Sequence, residues 1–185
     1  MAFKVYEPSL VLRHFVVLIT GMSGTGKSTV ILDLQSRGYK AIDLDNDTFS
    51  IWVDAEADPT YPDNEVSPGK DWVWNEPRVH ELLAIRDTEL LFVSGCASNM
   101  SKFYPSFQHI ILLTAPASTI VARLQTREGN TYGRSSEEVA RVLRLQQIIE
   151  PLLRRAADLE IDTSISHPSA VELILSHIGK SHQWL

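Results

Sequence analysis

Short, almost wholly apolar segments alternate along this chain with segments whose apolar residues recur at helical spacing. Strands are predicted at residues 14–20, 39–44, 90–94, 109–114 and 159–162, and helices at residues 27–37, 77–87, 116–127, in a long segment after Ser135, and at residues 168–178. Strands that are apolar at every position are typical of parallel sheets, in which both faces are buried. The alternation therefore predicts an α/β fold, in which helices cover both faces of a parallel sheet.

Two stretches depart from this alternation. Residues 54–77 contain four prolines and one glycine, which interrupt regular structure, and are predicted to form an irregular excursion. Residues 128–134 are polar and contain two glycines, so they are predicted to form a mobile loop. The helix that follows is predicted to begin with a capping box formed by Ser135 and Glu138. No internal repeat is present, and residues 1–185 are expected to form a single domain.

Composition excludes several classes of protein. The chain has 17 basic and 23 acidic residues, a net charge of −6, whereas general binders of nucleic acid or anionic membranes use a basic surface. The only cysteine, Cys96, excludes an internal disulfide and a cysteine-based zinc site. The apolar run at residues 15–19 is far too short to span a membrane and lacks the layout of a signal peptide. We therefore expect a cytoplasmic protein that binds neither nucleic acid nor membranes.

A glycine-rich motif follows the first predicted strand. Residues 21–28 read GMSGTGKS, which fits G-x-x-x-x-G-K-[ST], and they lie between a buried strand and a helix as this phosphate-binding loop (P-loop) requires. The glycines let backbone N–H groups surround phosphate oxygens, while the lysine reaches the β- and γ-phosphates and the serine hydroxyl ligates Mg²⁺. The chain is therefore predicted to bind a nucleoside triphosphate. The residues assigned to this site are Gly21, Met22, Ser23, Gly24, Thr25, Gly26, Lys27, Ser28 and Thr29.

Two acidic residues follow the second predicted strand. Asp43 and Asp45 form a D-x-D at its carboxyl end, where ligands bind in open α/β sheets. Because alternate strand residues face the same side, one carboxylate is expected to hold Mg²⁺ through water and the other to accept a substrate hydroxyl proton. Alternatively, these two acids and Asp47 cap a following helix. The third strand, residues 90–94, lacks a terminal Asp and the chain lacks an N-K-x-D segment, which disfavours a motor ATPase and a GTPase.

These motifs resemble those of the superfamily that contains shikimate kinases, gluconate kinases and nucleoside monophosphate kinases. The resemblance rests on the P-loop, on the D-x-D pair and on Arg123 and Arg127, which lie four residues apart ahead of the predicted loop. Residues 150–163 are similar to the final helix and strand of shikimate kinases. The likeness extends over residues 14–179, nearly the whole chain.

The resemblance implies a particular fold and particular cofactors. The fold is the P-loop NTPase fold, three α/β/α layers with a five-stranded parallel sheet in the order 2-3-1-4-5. An acceptor-binding excursion would occupy residues 46–88, and a short lid that closes over ATP would occupy residues 128–135. The implied cofactors are ATP and Mg²⁺.

The resemblance also implies roles for individual residues. Lys27 and Ser28 would contact phosphate and Mg²⁺, Asp43 would support the metal, and Asp45 would bind or deprotonate the acceptor hydroxyl. Arg123 and Arg127 would face the nucleotide, and Arg134 would move in from the lid to neutralise charge on the transferring phosphoryl group. Alternatively, any one of these arginines lies on a solvated helix face. The expected catalytic residues are Lys27, Asp45 and Arg134.

Departures from the family pattern indicate an acceptor other than shikimate. Shikimate kinases bind the substrate carboxylate with an arginine just before the E-P-L stretch, and here Ile149 occupies that place. The glycine triplet after the third strand is reduced to Ser94, Gly95 and Cys96. The predicted substrate-binding residues are Asp45, Arg78 and Gly95. The tryptophans of the excursion either stack on the acceptor or pack beneath a loop; they are Trp52, Trp72 and Trp74.

Charge is distributed unevenly between the two predicted binding regions. Residues 41–90 contain 13 acidic and 3 basic residues, a net charge of −10, whereas residues 121–155 contain 7 arginines and 4 glutamates, a net charge of +3. An anionic acceptor such as a nucleoside monophosphate would be repelled by the first of these regions. A neutral or cationic small molecule with a hydroxyl group is therefore the expected acceptor.

The sequence thus predicts an ATP-dependent phosphotransferase that moves the γ-phosphoryl group to a hydroxyl of a small molecule, as a monomer or homodimer. The alternatives are a nucleoside or nucleotide kinase, and a regulatory module that binds ATP and hydrolyses it slowly or not at all. The D-x-D pair and Arg134 favour the kinase, because a simple sensor needs neither.

Overall fold

The computed structural model describes residues 14–54, 69–126 and 135–182. Its strands are β1 (Phe15–Thr20), β2 (Lys40–Asp43), β3 (Ser50–Asp54), β4 (Lys70–Trp74), β5 (Leu90–Ser94), β6 (His109–Thr114) and β7 (Leu159–Asp162). Its helices are α1 (Lys27–Ser36), α2 (Glu76–Ala84), α3 (Ala117–Thr126), α4 (Ser136–Ala156) and α5 (His167–His182), with a 3₁₀ helix η1 (Met100–Ser106). The predicted α/β alternation is confirmed.

Five of these strands form one parallel sheet in the order β2-β5-β1-β6-β7. Numbered among themselves along the chain, they have the order 2-3-1-4-5, so the predicted topology is confirmed. The central strand β1 pairs with both neighbours, and Val17 lies beside Phe92 on one side and His109 on the other. The chain changes direction across the sheet at β1, and ligands of open α/β sheets bind at the carboxyl end of such a strand.

Alternation along β1 directs side chains into two cores. Val17 and Ile19 pack against α1 and α5 on one face, whereas Val16 and Leu18 lie on the other face in a cluster that includes Trp74 and residues of α4. All four β1 side chains are almost fully buried. Burial on both faces explains why this strand is apolar at every position.

The predicted irregular excursion contains a β-hairpin that the sequence reading missed. Strands β3 and β4 pair antiparallel, with Trp52 opposite Trp72 and Ser50 opposite Trp74. The expectation of irregular structure over 54–77 is therefore wrong for β4. The prolines that suggested it lie mostly at residues 55–68, outside the described residues, while β4 itself is rich in tryptophan and valine, which favour strands.

The region around the predicted lid is described on its carboxyl side only. Ser135 caps α4, and its side chain and that of Glu138 exchange hydrogen bonds with each other's backbone N–H at 3.1 Å, so the capping box is confirmed. Residues 127–134, and with them Arg127 and Arg134, lie outside the described residues. Across the described helices, none is long and apolar enough to cross a membrane.

Candidate active site

The P-loop connects β1 to α1 at the centre of the sheet. Gly26 precedes α1 with a φ of 98°, in the left-handed region that side chains other than glycine rarely adopt. The loop is closed by Thr25, whose hydroxyl donates to the carbonyl oxygen of Met22 at 2.8 Å. Thr25 is completely buried and Met22 nearly so, whereas Ser28 and Thr29 are exposed on the first turn of the helix. The loop is therefore held closed by its own hydrogen bond, whereas the N-terminus of α1 that follows it is open to solvent.

Lys27 lies inside this loop and faces a carboxylate. Its ammonium group donates to the carbonyl oxygen of Gly21 at 2.8 Å and is 3.5 Å from that of Met22. It also lies 3.7 Å from Oδ2 of Asp45, and the lysine side chain is only 10% exposed. The Lys27 ammonium group, held between the phosphate-binding loop and a carboxylate, is well placed to attract phosphate oxygens.

Ser28 and Asp43 meet across the same edge of the sheet. The Ser28 hydroxyl donates to Oδ2 of Asp43 at 2.7 Å. Asp43 is paired in register with Ser94, the last residue of β5. Ser94 lies two residues after Phe92, which packs beneath α1, so alternation places the Ser94 side chain on that face too.

The oxygens at this edge fit a bound Mg²⁺. The Ser94 hydroxyl is completely buried and makes no hydrogen bond with any described residue. Together with the Ser28 hydroxyl and the Asp43 carboxylate it offers hard oxygen donors, which Mg²⁺ prefers, while phosphates and water complete the shell of that ion. Within the described ranges, no group of three or more His, Cys, Asp and Glu side chains could hold a metal by itself. Mg²⁺ would therefore be held here by Ser28 and Asp43 together with the phosphates.

Asp45 lies beyond the end of β2, against the loop after β5. Its Oδ1 accepts a hydrogen bond from the backbone N–H of Cys96 at 3.1 Å, and its own N–H donates to Oδ1 of Asp43 at 3.1 Å. Residues 44–49 are not helical, so the alternative in which Asp43, Asp45 and Asp47 cap a helix is wrong. The two carboxylates point to different partners: Asp43 to Ser28 and Asp45 to Lys27.

The surroundings of Asp45 raise the pKa of its carboxyl group. Burial raises the pKa of Asp45, and Asp43 adds to the rise, whereas Lys27, the hydrogen bond from the Cys96 N–H and the nearby Trp74 indole lower this pKa. The side chain is still 27% exposed, so water or a small hydroxyl compound can reach it. A carboxylate with a raised pKa beside a fixed lysine is a stronger base than a solvated aspartate, as general-base catalysis requires.

Arg123 and Thr163 brace the P-loop from the opposite side. The Arg123 guanidinium donates to the carbonyl oxygen of Gly24 at 3.2 Å, and to the hydroxyl and carbonyl oxygens of Thr163 at 2.8 and 2.6 Å. The completely buried Thr163 hydroxyl lies 2.9 Å from the carbonyl oxygen of Thr25 and 3.0 Å from that of Thr114. Arg123 is therefore not on a solvated helix face. The role of Thr163 was missed, because only its place after β7, within the likeness to shikimate kinases, marked it in the sequence.

We expect Thr163→Val to destabilise the protein by about 1–3 kcal/mol, because it leaves the Arg123 guanidinium and a P-loop carbonyl short of a buried partner. Urea denaturation measures the change, and Thr163→Ser, which keeps the hydroxyl, should restore most of it. Thr126→Val is the matched control, since the exposed Thr126 hydroxyl donates to the carbonyl oxygen of Ala122 in the same helix. Equal stability of Thr163→Val and wild type would show that the brace contributes nothing.

The remaining predicted residues are placed as follows. Gly95 adjoins Asp45, since a Cβ added to it would lie 2.9 Å from Oδ1. Arg78 is exposed in the first turn of α2, and its guanidinium makes no hydrogen bond or ion pair with the described residues. Ile149 is buried in the same apolar cluster as Met22 and Trp74. An apolar side chain therefore occupies the position at which the resemblance to shikimate kinases would place an arginine.

Comparison with known proteins agrees with this geometry. The family described as AAA domain matches residues 17–144, which include the P-loop, the D-x-D pair and the whole sheet except β7. The chain belongs to the AAA domain family. Beyond this family match, no curated protein matches the sequence at a significant level.

Solved structures share the fold of this AAA domain protein at low sequence identity. Shikimate kinase from Acinetobacter baumannii, solved with shikimate, has a TM-score of 0.63 and 17% identity, covering 92% of this chain and 96% of that one. TT1252 from Thermus thermophilus has a TM-score of 0.59 and 23% identity, covering 89% and 98%. Shikimate kinase from Bacteroides thetaiotaomicron has a TM-score of 0.57 and 14% identity, also covering 89% and 98%. The fold is therefore that of the P-loop kinases to which the sequence was expected to belong.

Proposed function

We propose that this protein is an ATP-dependent kinase that transfers the γ-phosphoryl group to a hydroxyl of a small molecule that is not an anion. The observation that carries the proposal is the arrangement of Lys27 and Asp45. The lysine ammonium donates to the P-loop carbonyl oxygen of Gly21 at 2.8 Å and lies 3.7 Å from a separate carboxylate. A lysine shared by the phosphate-binding loop and a candidate base suits phosphoryl transfer, and a protein that only binds ATP does not need this pairing.

The proposed phosphoryl transfer uses Lys27 and Asp45 in these positions. The acceptor hydroxyl loses its proton to Asp45 as its oxygen forms a bond to the γ-phosphorus, and the bond from that phosphorus to the β–γ bridging oxygen breaks, releasing ADP. Lys27 attracts the phosphate oxygens and balances charge on them. Mg²⁺, held by Ser28 and Asp43 with the phosphates, would supply charge neutralisation on the β- and γ-oxygens. Asp45 then returns its proton to solvent through its exposed edge.

Further groups beside the described site would complete the reaction. Arg123, already joined to the P-loop at Gly24, would hold the loop for the nucleotide. Arg127 is proposed to face the nucleotide and Arg134 to reach the phosphates from the lid segment, where an arginine stabilises the transferring group. Arg78 and Gly95 are proposed to contact the acceptor, Gly95 because its backbone adjoins the Asp45 carboxylate.

Charge and shape of the acceptor side support a neutral or cationic acceptor. Around the acceptor base, Asp43 adds negative charge, and Ile149 presents an apolar surface within the cluster that holds Trp74. An incoming carboxylate would therefore meet repulsion from Asp43 and Asp45, and Ile149 offers no guanidinium to offset it.

The test is ADP release with ATP, Mg²⁺ and a panel of sugars, sugar acids, nucleosides, amino alcohols and aminocyclitol glycosides. Glucosamine, glucose and glucuronate form a matched set of pyranose sugars that carry positive, zero and negative charge, respectively. The expected result is that a neutral or cationic compound stimulates ADP release and gains the mass of one phosphoryl group. Stimulation by a nucleoside or its monophosphate would favour a nucleoside or nucleotide kinase, and ATP binding without any stimulation would favour a regulatory module.

A further inference from the structure

Trp74 is a buried tryptophan whose polar atom is directed at the candidate active site. It is 1% exposed, it ends strand β4, and its ring packs against Phe103 with centroids 5.4 Å apart. Its indole Nε1–H makes no hydrogen bond of ordinary geometry with any described residue. A buried N–H without a partner costs free energy, so such a group points to a contact that the fold maintains for another reason.

Gly95 shows where the indole N–H is directed. A Cβ added to Gly95 would lie 2.9 Å from Oδ1 of Asp45 and 3.0 Å from Nε1 of Trp74. Both atoms thus surround the same point on the Gly95 backbone. The absence of a side chain at this residue is what lets the indole and the carboxylate approach each other. The same oxygen accepts the Cys96 N–H at 3.1 Å.

The backbone around Trp74 is fastened to the same loop. Asn99 accepts a hydrogen bond from the Trp74 N–H at 2.9 Å and donates its side-chain amide to the Trp74 carbonyl oxygen at 2.9 Å. These two bonds tie the end of β4 to the segment that follows Gly95 and Cys96. Two backbone bonds to Asn99 and the packing of its ring on Phe103 therefore fix the indole beside Gly95.

We propose that Trp74 is a positioning residue for Asp45: its Nε1–H, unpaired with any other described acceptor, attracts Oδ1 through a contact outside ordinary hydrogen-bond geometry, and together with the Cys96 N–H it keeps Oδ2 turned toward Lys27 and the acceptor. The inference rests on the proposed function for its catalytic meaning. The contact itself is a property of the protein alone. The charged and titratable groups around the carboxylate are Lys27, Asp43 and Cys96, and none of them donates to Oδ1 through a side chain.

The first test observes the indole N–H directly, without any acceptor. The chain contains four tryptophans, and the Nε1–H resonance of Trp74 is identified in a ¹H–¹⁵N spectrum as the signal lost in Trp74→Phe. We expect Asp45→Asn to shift this resonance and to speed its exchange with solvent, because an amide oxygen accepts less strongly than a carboxylate. Asp54→Asn is the control, since Asp54 is on the same hairpin and also pairs with a lysine. Equal spectra for Asp45→Asn and Asp54→Asn would overturn the proposal.

The second test separates positioning from packing. Trp74→Phe should lower kcat for an accepted compound about tenfold to a hundredfold, as expected for the loss of a hydrogen bond to a charged group, with the KM for ATP little changed. Phe103→Leu disturbs the packing of the same indole and should reduce stability without this loss of kcat. A similar fall in kcat for both variants would mean that Trp74 acts only through packing, which would overturn the proposal.

The kinase proposal and the Trp74 proposal can fail independently of each other. If the Trp74 resonance responds to Asp45→Asn but no compound of the panel stimulates ADP release, the contact stands and the kinase proposal fails. If a compound is phosphorylated and the resonance does not respond, the kinase stands and Trp74 has no positioning role.

Discussion

Replacing Asp45 by asparagine is expected to lower acceptor-stimulated ADP release by about 10²–10⁴-fold, the usual contribution of a general base. The substitution keeps the shape of the side chain and its bond from the Cys96 N–H, but removes the group that takes the acceptor proton. Affinity for ATP should be retained, because the P-loop contacts are unchanged. Steady-state kinetics and equilibrium titration with ATP measure the two quantities independently.

Asp71→Asn is a matched control for that substitution. Asp71 is an acid of the excursion that follows Asp45, and its side chain accepts a hydrogen bond from the hydroxyl of Ser98 rather than pairing with Lys27. Turnover in this variant should remain close to wild type. Undiminished turnover in Asp45→Asn would remove Asp45 as the base and would leave the acceptor proton to solvent.

Replacing Lys27 by methionine should reduce phosphoryl transfer by about 10²–10³-fold, comparable to removing one fixed donor from a transition state. The change keeps the length of the side chain and removes the cation that lies between Gly21 and Asp45. ATP should bind more weakly as well, since the same ammonium group attracts phosphate in the ground state. Rapid-quench kinetics at saturating ATP distinguish the loss in transfer from the loss in binding.

Lys40→Met controls for a general effect of removing positive charge. Lys40 is paired with Asp87 on the edge strand, away from the P-loop. Its loss should leave transfer unchanged. Equal activity of Lys27→Met and Lys40→Met would contradict the central role given to Lys27.

The sheet and the P-loop were predictable because each depends on neighbouring residues. A strand with an apolar interior, such as His109–Thr114, indicates burial on both faces of the sheet. The motif GMSGTGKS has the spacing of a P-loop and also lies between a predicted strand and a predicted helix. The order of the five strands came from the family likeness, since periodicity alone does not fix which strands pair.

The separate partners of Asp43 and Asp45 were less predictable. Alternation along a strand places both residues on one side, but β2 ends at Asp43 and Asp45 lies beyond the strand, in a bend. Which carboxylate meets Ser28 and which meets Lys27 therefore depends on the turn rather than on strand periodicity.

The convergence of the Trp74 and Asp45 side chains on Gly95 could not be predicted at all. It joins three segments that are far apart along the chain, and no local pattern specifies the pairing. The hairpin was obscured for a similar reason, because prolines between its strands outweighed the strand propensity of β4 itself.

The two hydrogen bonds between Asn99 and the Trp74 backbone have a consequence for how an acceptor is chosen. They fasten the end of β4 to the segment after β5, so this wall of the proposed acceptor site is formed before any small molecule binds. A compound that fits it gains affinity without ordering the wall, whereas a compound that does not fit meets a surface that cannot adapt. Selection among acceptors at this end of the proposed site would therefore depend on a preformed surface rather than on closure around the bound compound.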